Sequence, residues 1–373
     1  MGKEKVIPAL TGIRAVAVYF IFFKHLNIFS KDAHPDLFLL VNQFYVFLDF
    51  FFVLSGFLIY YKYSEIKSLN RIKLHNYFIN RISRVFPILI LLISITFYID
   101  YRHGSYSATG ALKYWFLNVT LLKGFSSKYI LTGIGPSWSM SVEELFYLLS
   151  PLIFFYVKSI FTLLKSVALF YIIGLGITFL FALHPYKGFF DSDLFTFNAT
   201  FFGRIFEFAC GIFLAMIVKG KIKDNILARL QRKNLYLGIL IIIISLLTLT
   251  YIAVNLHVGQ AIEVWPGAVV NNILMPLGIT LFYYDLIYHK SWAQRLLGNG
   301  LMVGLGNATY SFYLLHTTFV LSYIFKFISQ NIFVAFICMI IISFFFHKLI
   351  EQPLAIFFRN KLSRTDDNKV HKS

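Results

Sequence analysis

Ten stretches of mostly apolar residues run along the chain, at 8–29, 37–61, 86–101, 136–157, 161–183, 199–218, 235–256, 264–288, 303–326 and 331–357. Nearly all reach the about 20 residues that a helix needs to cross a bilayer. The pattern therefore predicts an all-α, polytopic bundle of about ten transmembrane helices. The third stretch is short and is read as extending back through Arg84, Val85, Phe86 and Pro87. A further apolar stretch, 111–122, is too short to span and is expected to lie at the interface or re-enter. Lys3 and Lys5 ahead of the first stretch imitate a signal peptide. No small-residue cleavage site follows and Arg14 interrupts the run, so the stretch reads as an uncleaved first span.

Composition sharpens the class. Hydrophobic residues make up 58% of the chain and charged residues 14%, with 44 Phe and 23 Tyr. A soluble domain carries roughly 25% charged residues, so soluble, secreted, fibrous and disordered classes are excluded. There is no internal repeat or linker: 1–360 read as one transmembrane domain and 361–373 as a polar cytoplasmic tail. The net charge of +17 invites a nucleic-acid partner until its placement is read. With ten crossings, 24 Lys and Arg fall on the side of the termini, 7 on the other and 3 (Arg14, Lys24 and Arg204) within spans. That asymmetry is an orientation signal that puts both termini in the cytoplasm, and no nucleic-acid partner is expected. Cys210 and Cys338 both sit in apolar runs, with neither a disulfide framework nor metal-ligand spacing.

Charges inside spans are costly and mark function or a compensating partner. Arg14 and His25 are eleven residues apart, which returns to within about 20° of one helix face and separates them by roughly 16 Å along the axis. One face thus presents a guanidinium nearer the cytoplasm and an imidazole nearer the outer side. Against this stands the plainer reading of a snorkelling Arg14 and a satisfied interfacial His25. Glu143 and Glu144 open the fourth span and are expected at the depth of His25. Pointing about 100° apart, one could orient His25 while the other pairs with an arginine. Arg204 and Glu207, three apart, can pair as structural glue. Ser311 and His316, five apart, are badly spaced for a serine–histidine dyad, which leaves His316 free to bond across the bundle. Arg81 and Arg84, three apart at a helix entrance, suit phosphate recognition and serve equally as a positive flank.

Taken in order, Arg14 and His25, the segment Phe51-Phe52-Val53-Leu54-Ser55-Gly56-Phe57, Arg81-Ile82-Ser83-Arg84-Val85-Phe86-Pro87, Trp138 to Tyr147, Tyr310 to His316, and Glu351-Gln352-Pro353 resemble the acyltransferase-3 family of integral-membrane acyltransferases. The resemblance covers roughly residues 7–355. It implies a multi-pass protein of the bacterial cytoplasmic membrane that takes an acyl group from cytoplasmic acyl-CoA and delivers it to a hydroxyl outside. It implies His25 as the catalytic histidine, with Arg14 as its motif partner. It also implies that Arg81 and Arg84 help to hold the CoA phosphates, and that Glu143 and Glu144 belong to the site. Trp138, Ser141, Tyr310, Ser311 and His316 fall in the same segments and are expected among the substrate-binding residues. Acetyl-CoA is the expected donor, no metal is expected, and the expected acceptor is an extracytoplasmic polysaccharide, lipid-linked or at the surface. Many such proteins carry an additional SGNH-type domain. This chain ends too early for one, which favours direct transfer. His25 would act as general base or as a nucleophile that briefly carries the acyl group. Rival readings are acylation of a small molecule, transfer of succinyl, and a transporter or glycan flippase lined by Arg14, Glu143 and Glu144.

Overall fold

The computed structural model describes residues 7–65, 71–224 and 227–363. Within them the chain is helical throughout, and eight helices are long and apolar enough to cross a membrane. The chain is a multi-pass membrane protein.

α1 (Pro8–Leu26) starts on a proline and stops where Asn27 turns left-handed at φ 47°. α2 (Pro35–Asn42) runs through a 3-10 turn into α3 (Leu48–Tyr63), making one crossing. α4 (Arg71–Arg102) is 32 residues long with Pro87 inside it, so the short third apolar stretch does extend back through the arginines. α5 (Ala108–Val119) is the predicted non-spanning piece, a helix of 12 residues. Next come α6 (Trp138–Tyr156), α7 (Ile160–Leu183), α8 (Asp193–Ala199), α9 (Phe201–Val218), the short α10 (Leu227–Leu230) and α11 (Lys233–Asn255). α12 (Trp265–Val269) joins α13 (Met275–Tyr288) through a π turn, and α14 (Trp292–Leu297) follows. α15 (Gly300–Asn307), α16 (Thr309–Leu315) and α17 (Phe319–Phe327) lead to α18 (Ile332–Phe346), which passes through a second π turn, His347–Glu351, into α19 (Gln352–Leu362).

Two expected spans differ from the sequence reading. The fourth is present as α6, but Glu143, Glu144, three serines and Pro151 dilute its apolar run, and it is not among the eight apolar crossings. The ninth is not one helix. It breaks after Asn307 and again at His316–Thr318, where the Thr318 hydroxyl accepts the Val320 N–H and starts α17 afresh. Apolar content alone could not reveal those breaks. The tail beyond residue 363 lies outside the described residues.

The bundle is layered. In the crossing Asp193–Val218 most residues of the apolar stretch are buried within the protein, and it forms the centre, whereas in Ile332–Leu362 few are, and it lies at the rim. α9 packs most closely on α3, and two glycines permit it. A Cβ on Gly211 would sit 1.9 Å from the Val53 carbonyl oxygen, and one on Gly56 2.1 Å from that of Phe208. Small residues that let backbones touch are the usual adhesive between helices in lipid, where burial supplies no hydrophobic gain. At the same contact Arg204 is 1% exposed, and its guanidinium meets Asp49 at 3.0 Å and Glu207 at 2.7 Å. The predicted Arg204–Glu207 pair is therefore real, and Asp49 from α3 completes it.

Candidate active site

A cleft enclosing about 870 Å³ of unfilled space, counting its open mouth, lies among α1, α3, α4, α6 and α16. Helix periodicity explains its lining. Ser139, Glu143 and Tyr147 stand four apart on α6 and share a face. Ser55 comes from α3, Arg81 and Arg84 from α4, Arg14 from α1, and Thr309, Tyr310 and Tyr313 from α16. Three guanidiniums therefore face one cleft whose other walls, such as Phe51, Leu54 and Val85, are apolar.

The polar groups are braced from behind. Ser55 Oγ and Tyr147 OH both donate to Glu143 Oε1. Arg81 packs over the rings of Tyr63 and Tyr147, with centroids at 5.5 and 5.3 Å, and its buried Nε has no hydrogen-bond partner among the described residues. Tyr310 OH donates to the Val85 carbonyl at 2.7 Å, fixing α16 against α4. A carboxylate, three arginines and an apolar wall form a cleft suited to an anionic head followed by an uncharged arm.

His25 is not in this lining. Its Nδ1 lies 3.0 Å from Nε2 of His316, which is 1% exposed at the α16–α17 break. His316 Nδ1 in turn lies 2.7 Å from the Tyr313 carbonyl oxygen. Tyr313 bridges the two places: its ring lines the cleft and lies 5.7 Å from the His316 ring. Its hydroxyl donates to the Pro136 carbonyl at 2.7 Å and lies 2.7 Å from Ser139 Oγ.

The geometry sorts the residues expected from sequence. Arg14, Arg81, Arg84, Glu143 and Tyr310 meet in the cleft, and His25 pairs with His316 beside it. The expectation that a glutamate orients His25 is not met. Glu143 lies with Arg14, not level with His25, and its bonded partners are Ser55 and Tyr147. Glu144 and Trp138 are outside the lining. Ser141, two residues from Ser139 and so on the opposite face, bonds the Leu121 carbonyl at 2.6 Å. Ser311 donates to Glu351 Oε2, which His347 Nδ1 also meets at 3.1 Å. Sequence reasoning missed Ser55, Ser139, Tyr147 and Tyr313. The four-residue rhythm of Ser139, Glu143 and Tyr147 was the available signal for two of them.

The loop that carries Pro136 is held by a buried lysine. Lys123 is fully buried outside the spans, and its Nζ donates to the Thr132 and Ile134 carbonyls at 2.7 Å each. Burial pushes its amine down from 10.5 to about 7. Above that pH the folded amine is neutral, and its two N–H groups match its two acceptors. A lysine depressed in the fold binds fewer protons there than in the unfolded chain, so it makes stability rise with pH between about 7 and 10.5 and adds no further change below about 7. In detergent, the melting temperature of the wild type should therefore climb more steeply over that window than that of Lys123→Met. Parallel curves would deny the lysine this role.

A family profile described as an acyltransferase domain matches residues 7–348. Among curated proteins, a Staphylococcus aureus (strain COL) protein named "Putative O-acetyltransferase SACOL0978" is 26% identical over 336 residues, covering 84% of this chain and 50% of its own length. The "O-acetyltransferase OatA" of S. aureus (strain NCTC 8325 / PS 47) is 27% identical over 165 residues, which is 41% of this chain and 25% of that protein. The chain thus spans about half the length, or less, of these relatives. No solved structure matches it. The matched residues run from the start of α1 to the second π turn and so include every wall of the cleft and both histidines, and the chain belongs to the acyltransferase-3 family of membrane acyltransferases.

Proposed function

We propose that this protein is an O-acetyltransferase. In this reading it takes acetyl from acetyl-CoA on the cytoplasmic side and transfers it to a hydroxyl of an extracytoplasmic polysaccharide, such as a lipopolysaccharide O-antigen or an exopolysaccharide. The observation that carries the reading is one cleft faced by Arg14, Arg81 and Arg84 and separated by Tyr313 from a histidine pair, the half-buried His25 and the buried His316. The names of the S. aureus relatives support acetyl as the group and oxygen as its destination. The proposed arrangement has ten crossings with cytoplasmic termini, α6 and the broken α15–α17 segment being the two beyond the apolar eight. The 24-to-7 bias of Lys and Arg supports that orientation.

Phosphates cannot enter hydrocarbon, so the nucleotide end of the donor stays at the arginines. The uncharged pantetheine arm lies along the apolar wall and carries the thioester toward Tyr313 and the histidines. His25 removes the proton of the acceptor hydroxyl as its oxygen attacks the thioester carbonyl. The C–S bond breaks, and the proton passes from His25 to the departing CoA thiolate. Trp138, Ser141, Glu144 and Ser311 support the lining from outside it.

The test is mass spectrometry of the surface glycan from cells with and without the gene. Ester-linked acetyl groups should vanish on deletion and return with the wild-type chain, and an unchanged glycan would refute this acceptor. Within the same scheme, Arg81→Ala and Arg84→Ala should act on donor binding. A hydrogen bond to a charged group contributes about 1.5–3 kcal/mol, so KM for acetyl-CoA should rise roughly ten-fold or more. An unaltered donor KM in both variants would remove these arginines from the donor site.

A further inference from the structure

The hydrogen bonds around His316 leave only one neutral arrangement of protons on the histidine pair. The Tyr313 carbonyl can only accept, so the 2.7 Å contact requires the proton of His316 on Nδ1. A neutral His316 then presents a bare lone pair at Nε2. His25 Nδ1, 3.0 Å away, must therefore be the donor, which leaves His25 Nε2 unprotonated. We propose that His316 is the positioning residue that fixes His25 as its Nδ1–H tautomer and keeps Nε2 free to take the proton of the acceptor hydroxyl. This rests on His25 being the base of the proposed transfer, and it assigns to a histidine at the α16–α17 break the orienting role that the sequence suggested for a glutamate.

The surroundings fit a device that sets protons. Phe22 and Phe312 flank the His316 ring, with centroids at 6.3 and 6.1 Å, so no water competes for its lone pair from those directions. The break in the helix after Leu315 is what turns the His316 ring back onto the Tyr313 carbonyl within its own turn. Lys24 stands next to His25 on α1. When His25 Nε2 accepts the hydroxyl proton, its Nδ1–H can move toward His316 Nε2, so the new charge is shared between two rings. Delivery of the proton to the leaving thiolate restores both. Protonated His316 has no lone pair; it would donate from Nε2 to His25 Nδ1, force the proton of His25 onto Nε2, and silence the base.

The tests separate an acceptor at position 316 from mere packing. His316→Gln can place a carbonyl oxygen near the old Nε2 and accept from His25, whereas His316→Lys can only donate and His316→Leu can do neither. In membranes given labelled acetyl-CoA, turnover should fall by a factor on the order of 10²–10⁴ in the Leu and Lys variants, with donor KM unchanged, and be substantially retained in the Gln variant. The acid limb of the pH–rate profile should shift in the Gln variant, because one titrating ring is gone while Lys24 remains. A purely structural His316 would instead lose activity according to expression, with Gln no better than Leu, and that ranking would overturn the proposal. A readout independent of turnover is the ¹⁵N spectrum of histidine-labelled wild-type protein in nanodiscs. It should show His25 protonated on Nδ1 and bare on Nε2 near neutral pH, and the reverse tautomer would refute the assignment even if no acetyl transfer were found. Absence of transfer by the wild type, with the Nδ1–H tautomer observed, would instead count against the proposed function alone.

Discussion

His25→Gln is expected to abolish acetyl transfer while leaving the protein inserted and able to bind acetyl-CoA. The reason lies in what each side chain can do with a proton. Glutamine can keep a hydrogen bond to His316, but its amide cannot take up a proton at neutral pH. General-base catalysis contributes about 10²–10⁴ in rate, so loss of at least that factor is expected, in kcat more than in donor KM. His25→Ala should fail equally. The donor cleft is built by other residues, so a non-hydrolysable acetyl-CoA analogue should bind both variants as it binds the wild type. Turnover near the wild-type level in a well-folded Gln variant would remove His25 from the chemistry and restore weight to a transport role for the cleft.

Arg204→Met should be the most damaging single change to folding. The substitution nearly keeps volume, but it leaves Asp49 and Glu207, both fully buried, without the cation they share. Removing one partner of a buried ion pair typically costs about 3–5 kcal/mol, because the remaining charge is uncompensated. One Glu207 oxygen has no hydrogen-bond partner among the described residues, so Glu207 depends on Arg204 for its neutralisation. The variant should be recovered from membranes in sharply reduced yield and melt well below the wild type. The triple change Arg204→Met, Asp49→Asn, Glu207→Gln should regain much of that loss, since no net charge stays buried. A single variant with wild-type melting would show that the cluster is not under this constraint.

The sequence was informative about crossings and reticent about partners. Hydropathy marks α1, α3, α4, α7, α9, α11, α13 and α18 because each carries a run long and apolar enough to cross a bilayer. Arg14 and Glu143 stand out because a charge in such a run needs a reason, and Arg81 and Arg84 because two guanidiniums three apart stand at a helix entrance. What periodicity could not show is which helix meets which. Asp49 finds Arg204 across 155 residues and His25 finds His316 across 291, and no local pattern encodes either distance. The reading that one of the two glutamates orients His25 rests on depth alone. The chain breaks at Asn307 and His316, and the imidazole at the second break meets His25 instead. Ser55 and Tyr313 were invisible for a different reason: serine and tyrosine are ordinary in membrane helices, and only the convergence of α3, α6 and α16 makes them lining residues.

The π turn at His347–Glu351 carries a history as well as a shape. Such a turn holds one residue more than an α-helical turn would, so it is the mark a single-residue insertion leaves when a helix absorbs it without breaking. A chain one residue shorter there would continue as plain α-helix, and everything after it would rotate by about 100°. Glu351 would then swing away from Ser311 and His347, and α19 would present a different face to α4, against which His75 now meets the Leu362 carbonyl at 2.9 Å. The register of the whole C-terminal helix thus hangs on one extra amino acid, and length in this turn is under tighter constraint than the identity of its exposed residues, Lys348 and Leu349.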